Sequence, residues 1–261
     1  MVNVLPLEAE ERVTAMVTTR EFDDNEFLVM ITRKGVVKRL PFVALKTNRK
    51  GGIRAITLEK GDNLINVIRT TGNDNIILAT AQGMAICFNE NDVRCMGRDA
   101  AGVRGITLNE GDIVVGAQKW EEGKTLLTVT ENGYGKRTEL PEYLRTGPDG
   151  EKVPQSRGGK GLKNYNITPK TGNVAGCVVA GETDDVMLIE NGGVIIRVPA
   201  GSINVYKRDV QGVIVMRIEE GNKLVSLECV PNVNTDDVEE FPEERNAADM
   251  IPGNLSEDAG E

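Results

Sequence analysis

The chain has 261 residues, with 31 Lys and Arg against 40 Asp and Glu, and its formal net charge of −9 argues at face value against a nucleic-acid partner. Residues 232–261, however, hold ten of the acids (Asp236, Asp237, Glu239, Glu240, Glu243, Glu244, Asp249, Glu257, Asp258 and Glu261) and only Arg245 of the bases, so residues 1–231 carry thirty of each and are neutral. Histidine is absent, which excludes Ser-His-Asp and Cys-His triads, His-ligated zinc and imidazole acid–base chemistry. The four cysteines, Cys87, Cys95, Cys177 and Cys229, form no C-x-x-C pair and read as buried free thiols. No apolar run approaches the roughly 18–20 residues that span a bilayer, and no signal peptide opens the chain, so no membrane partner and a cytoplasmic location are expected.

Two elements alternate along the chain. VNVLPLEAEERVTAM (2–16) resembles only the second of them. EFLVMITRKGVVKRL (26–40) is the first: an apolar run, a polar pair with Gly, and a second run, which is a β-hairpin signature. GIRAITLEKGDNLINV (52–67) is the second, two short strands flanking a Gly-Asp turn. The hairpin returns at 75–89, 125–139 and 185–199, and the Gly-[DN] element at 102–117, 161–177 and 212–227. The hairpin glycines are read as Gly35, Gly83, Gly133 and Gly192. Each unit is therefore about 50 residues and four strands, with no helical period between them. Such a repeat cannot bury both faces alone, so copies stack, and radial stacking of four-stranded blades is the propeller solution. The third unit is longer, its extra length falling in RTGPDGEKVPQSRGGKG (145–161), which reads as an exposed loop.

The segment linking each hairpin to the next element is basic. It carries Arg49 and Lys50; Arg94, Arg98 and Arg104; Arg157, Lys160 and Lys163; and Lys207 and Arg208. Further bases follow the hairpin turns at Lys38, Arg39, Lys136, Arg137 and Arg197, while acids occupy the other turns at Asp62, Glu110, Asp112, Glu219 and Glu220. Equivalent positions of a radial repeat share one rim, so a neutral body can display a positive stripe. Such a stripe suits a phosphate backbone, which Lys, Arg and backbone N–H groups contact without reading sequence. Glycines beside Arg157 and Lys160 let backbone approach phosphate closely.

QSRGGKG (155–161), set in about 50-residue β repeats with a G-[VI]-R-x-I-x-L-x-x-G-D element and followed by an acidic tail, resembles the C-terminal domain of the bacterial DNA gyrase A protein. The match to that family's box covers Gln155, Arg157, Gly158, Gly159, Lys160 and Gly161, while Ser156 stands where the family usually has a second base. The resemblance implies an all-β fold, a β-pinwheel of about four blades over residues 1–231 that wraps duplex DNA on its basic rim, with residues 232–261 a disordered acidic tail. It implies partners in the rest of the gyrase A polypeptide and in gyrase B, forming a heterotetramer associated with the nucleoid. This chain then holds no cleavage tyrosine and no cofactor, ATP and Mg²⁺ acting on other parts of that assembly. The register of residues 2–16 resembles the junction after the family's second blade, so the domain is expected to be N-terminally incomplete. Two alternatives stay open: the corresponding domain of the topoisomerase IV A protein, and a propeller-type protein-interaction scaffold.

Overall fold

All four hairpins form. The computed structural model describes residues 11, 13–49 and 51–232, where the regular structure is β-strand with a few single 3-10 turns. Lys50 and residues 233–261, nearly all of the acidic tail, lie outside the described residues. In chain order the strands are β1 (Phe27–Thr32), β2 (Val36–Pro41), β3 (Leu64–Thr70), β4 (Asn75–Thr80), β5 (Met84–Asn89), β6 (Val103–Arg104), β7 (Val114–Lys119) and β8 (Thr125–Thr130). They continue as β9 (Tyr134–Glu139), β10 (Arg145–Thr146), β11 (Lys152–Val153), β12 (Leu162–Lys163), β13 (Val174–Ala180), β14 (Asp185–Glu190), β15 (Ile195–Pro199), β16 (Val213–Ile214) and β17 (Leu224–Val230).

Each hairpin turns through a glycine in the left-handed region whose N–H closes the turn on a carbonyl three residues back. Gly35 donates to Thr32, Gly83 to Thr80, Gly133 to Thr130 and Gly193 to Glu190, at 2.9–3.0 Å. The fourth turn glycine is thus Gly193 (φ +92°) and not Gly192, because only a residue at that position must take positive φ. The Gly-Asp turn of the same unit braces the hairpin. Asp62 Oδ1 accepts from the Lys34 and Asn63 amides, and Asp112 Oδ1 from those of Gln82 and Ile113, at 2.8–2.9 Å. Both carboxylates are buried, so these two acids are braces inside the blade and not solvated rim charges.

Four sheets follow, ordered β3-β1-β2-β6, β12-β5-β4-β7, β13-β8-β9-β16 and β15-β14-β17. The short outer strand is exchanged between units: β6 lies between β5 and β7 in the chain, yet pairs with β2 of the preceding blade. β12 and β16 repeat this on β5 and β9. The inner strands β3, β7, β13 and β17 line one central cavity of about 200 Å³. The insertion at 145–161 is not wholly irregular, since β10 and β11 form a small hairpin in it.

Period-2 alternation puts successive residues of each central strand into different blade interfaces. Val29 and Ile31 face blade 2, where they meet Ile76 and Leu78, while Leu28 and Met30 face away. On β4, Ile77 and Ala79 turn instead to blade 3, meeting Leu126 and Cys177; on β8, Leu127 and Val129 meet Val186 and Leu188 of blade 4. Burial on both faces explains why these strands read as unbroken apolar runs, each fully buried Val, Leu or Ile stabilising by about 1.5–3 kcal/mol. Cys87 and Cys177 are buried as expected, their thiols pushed up to about 12 by burial, but Cys95 is exposed on a rim loop and Cys229 half-buried.

Candidate nucleic-acid interface

Three seven-residue loops occupy equivalent places on the outer edge of the wheel: Met96–Gly102, Gln155–Gly161 and Tyr206–Gly212. The first residue of each donates its N–H to the second strand of a hairpin, Met96 to Arg39 O, Gln155 to Cys87 O and Tyr206 to Arg137 O, at 2.8–2.9 Å. Each loop ends on a left-handed glycine, Gly102, Gly161 or Gly212, packed against that strand and leading into the exchanged outer strand. A Cβ at Gly102 would stand 2.6 Å from Val37 O, so close backbone approach requires glycine there.

The loops are strung together. Thr57 N donates to Ala100 O at 3.4 Å, Thr107 N to Gly159 O at 2.8 Å and Asn166 N to Val210 O at 3.3 Å, the same bond in three consecutive repeats. The third residue of each loop is arginine. Arg157 is half-buried and donates to Asp92 O (2.7 Å) and to Arg104 O (3.0 Å); Arg208 donates likewise to Lys163 O (2.9 Å) and lies 4.0 Å from Glu142. These two arginines tie each loop to the outer strand before it, which fixes the spacing of the bases that remain outside.

Those outer bases are Arg49, Arg94, Arg98, Arg104, Lys160, Lys163 and Lys207, all exposed and in no ion pair among the described residues. Arg104 and Lys163 hold the same register on β6 and β12, and Ile214 replaces them on β16. The fourth loop residue is Asp99, Gly158 or Asp209, so only Gln155–Gly161 lacks an acid there, and its formal charge is +2 against 0 and +1 for the other two. Gly158 takes φ +83° and donates to Gly105 O at 2.6 Å, while the Gln155 side chain donates to Tyr143 O at 3.2 Å.

Four bases expected on the rim are inside the wheel. Lys38 and Lys136 are fully buried and Arg39 and Arg137 are 6% and 4% exposed. Lys38 Nζ donates to the carbonyls of Ala55, Arg98 and Ala100, and Lys136 Nζ to those of Lys207 and Arg208 (2.7 and 2.8 Å) and to Thr138 Oγ1. Burial lowers both ammonium groups from their ordinary value, Lys136 to about 7. Arg39 pairs with the buried Glu90 at 2.9 Å and stacks on Phe27; Arg137 donates to Ile203 O and pairs with Glu182. The two lysines hold rim-loop carbonyls from behind, while the two arginines tie their strands to neighbouring turns. Arg197 is exposed but pairs with Asp185 at 2.7 Å on blade 4.

Sequence reasoning left out Arg54, Lys46, Arg145 and Lys152, all exposed. Arg54 follows Gly52 as Arg104 follows Gly102, a signal present in the G-[VI]-R register. Lys46 shares a notch of about 240 Å³ with Arg49 and Arg98, a juxtaposition no local pattern carries. Arg145 and Lys152 flank the Gln155–Gly161 loop on β10 and β11.

Exchanged-strand blades around a common axis, with an outer basic edge, define a β-pinwheel. The family model described as "DNA gyrase C-terminal domain, beta-propeller" matches at residues 26–71, 74–120, 124–153, 150–180 and 184–231, and the chain belongs to that family. It is 40% identical over 231 residues to the DNA gyrase A protein of Lawsonia intracellularis, covering 87% of this chain and 27% of that protein. With the DNA gyrase A protein of Escherichia coli K12 the identity is 38% over 230 residues, covering 88% and 25%. The chain thus spans about a quarter of these relatives. Among solved structures, the C-terminal domain of a DNA topoisomerase IV superposes with TM-score 0.79 and that of a DNA gyrase A with 0.76, each at 26% identity over 88% of this chain, covering 69% and 74% of those chains.

Proposed function

We propose that the chain binds duplex DNA along its outer edge and bends it around the wheel, as the DNA-wrapping part of a gyrase A protein. The observation that carries this reading is the recurrence of exposed bases in no ion pair on successive outer loops, with Arg104 and Lys163 in the same register on two consecutive outer strands, held at fixed spacing by the loop-to-loop hydrogen bonds. Such bases recognise phosphate and not base edges, so binding is sequence-tolerant. Bending 20–30 bp by 40–90° costs of order 1–6 kcal/mol, which counterion release at successive phosphates offsets. On this reading the rest of gyrase A together with gyrase B completes a heterotetramer in the bacterial cytoplasm, and strand cleavage and ATP hydrolysis with Mg²⁺ belong to those parts. One phosphate for each of the seven outer bases gives a slope of log K against log salt near −6, about −0.9 per contact. Titrating labelled duplexes of unrelated sequence over a salt series measures it; a slope near zero, or strong preference for one sequence, refutes the proposal. The closeness of the topoisomerase IV domain supports a second assignment, to that enzyme. Adding the partner proteins of each enzyme to relaxed plasmid decides between them, because only the gyrase assignment yields negative supercoils.

A further inference from the structure

Two residues connect the buried Val93 to Met96, and two connect the buried Ile203 to Tyr206, but eleven connect the buried Tyr143 to Gln155 at the same place in the third unit. The far ends are equivalent too, since Met96, Gln155 and Tyr206 each donate to the second strand of a hairpin. The nine extra residues therefore leave the outer edge and return to it at points that the other units join directly. They stand immediately before Gln155–Gly161, the one of the three loops that carries no acid. Extra length in a repeat array falls on one face, often the binding face.

The excursion is an ordered hairpin. Arg145 pairs with Val153 and Thr146 with Lys152, the Gly147 amide donates to Glu151 O at 2.7 Å, and the Gly150 amide closes the turn on Gly147 O at 3.1 Å. At its root the Gln155 side chain donates to Tyr143 O at 3.2 Å and Arg145 Nε to Pro154 O at 3.4 Å. Residues 148–152 are all exposed, and a Cβ on Gly150 would meet nothing within 4 Å. Directly opposed residues of an antiparallel pair share a face. Arg145 therefore lies on one face of the hairpin and Lys152, which donates to Thr146 Oγ1 at 3.3 Å, on the other. Both are exposed and in no ion pair among the described residues.

From an exposed arm with one base on each face, rooted beside the basic loop, we infer that the hairpin enters the major groove of the bound duplex, Arg145 and Lys152 each meeting one of its two phosphate walls. The inference rests on the proposed binding of DNA along the outer edge. Three residues a side at about 3.3 Å each give an arm of about 10 Å. The major groove is about 12 Å wide and about 8.5 Å deep and admits a two-stranded ribbon. The tip then lies over the groove floor, away from both walls. Every base pair presents one amino donor there, adenine N6 or cytosine N4, so Asp149 and Glu151 find a donor whatever the sequence. The minor groove, about 6 Å wide and lined in A·T pairs by acceptors alone, suits neither the ribbon nor its acidic tip.

Fluorescence anisotropy over a salt series, on duplex and on single-stranded DNA, tests this with the full chain. The arm adds two phosphate contacts to those of the seven outer bases, so the wild-type slope on duplex steepens from about −6 to about −8. Arg145→Ala with Lys152→Ala is expected to return it to about −6. Deletion of residues 145–153 is expected to do the same; it leaves Leu144 and Pro154 as a two-residue link like those of the other units, and circular dichroism checks that both variants keep their β content. A single strand has no groove and offers a backbone to one of the two bases at most, so there the variants differ from wild type by less than about 1. Methylation of guanine N7 by dimethyl sulfate reads the major groove: the wild type is expected to lower it on a saturated short duplex, and the deletion to restore it. A steep wild-type slope that both variants leave unchanged, a loss as large on single strands, or N7 methylation that the deletion does not raise overturns this inference alone. A wild-type slope near zero removes the proposed DNA binding as well.

Discussion

Lys136 and Arg104 are bases of different units, one at 0% exposure and the other on an outer strand in solvent, and replacing each separates support from contact. Lys136→Met keeps the aliphatic stem but removes the ammonium from the carbonyls of Lys207 and Arg208 and from Thr138. A buried carbonyl left without a donor costs about 1–3 kcal/mol, so losing two, less what relaxation recovers, costs about 2–4 kcal/mol. The pH dependence has a definite sign. Burial, opposed by Asp209 and Glu142, brings the folded-state value to about 7, below the ordinary 10.5, so folding disfavours the cation. That contribution to stability is full above pH 10.5, declines as pH falls, and is lost once pH passes below about 7. Methionine has no such group, so the stability gap between wild type and variant widens as pH rises from 7 towards 10. Urea denaturation at several pH values measures both quantities. Arg104→Ala leaves the midpoint within about 0.5 kcal/mol and makes the salt slope shallower by about 1. A loss below about 0.5 kcal/mol for Lys136→Met, or an unchanged salt slope for Arg104→Ala, refutes the division of the bases into inner supports and outer contacts.

Gly158→Asp restores the acid that the other two loops carry and weakens DNA binding more than Gly158→Asn, which tolerates the same backbone; the difference between the two shrinks as salt rises, by fluorescence anisotropy. Glu90→Ala strands Arg39 and frees the Thr70 hydroxyl and the Gly72 and Asp74 amides that Glu90 holds, costing about 3–5 kcal/mol by chemical denaturation. Thiol titration of the native chain with a colorimetric disulfide reagent labels Cys95 fast, whereas Cys87 and Cys177 react only after denaturant is added.

The repeat was legible because hairpins have a local signature. Unbroken apolar strands around a turn glycine announce themselves within fifteen residues, as in EFLVMITRKGVVKRL. The pairing of Val103–Arg104 was not legible in the residues, because a two-residue strand has no period and its partner β2 lies more than sixty residues earlier. Charge behaved likewise. Lys38-Arg39 and Lys136-Arg137 stand in strands whose alternation is masked by burial on both faces, so nothing local separates a buried lysine that holds loop carbonyls from an exposed one. Gly192 and Gly193 are adjacent, and only the backbone dihedral distinguishes the one that turns. The outer bases were found because loops show their residues, and Arg54 was missed although its register with Arg104 was visible.

The central claim is that the outer edge bends DNA, and the linking number of a plasmid relaxed in the chain's presence tests it most directly. Closed circular DNA is incubated with increasing amounts of the chain, relaxed by a nicking-closing enzyme, deproteinised and resolved by gel. The account predicts a shift in linking number of one sign that grows with protein, fades as salt rises, and is lost when Arg104, Lys160 and Lys163 are replaced together by alanine. DNA that binds the chain and yet keeps the linking number of the protein-free control would contradict it.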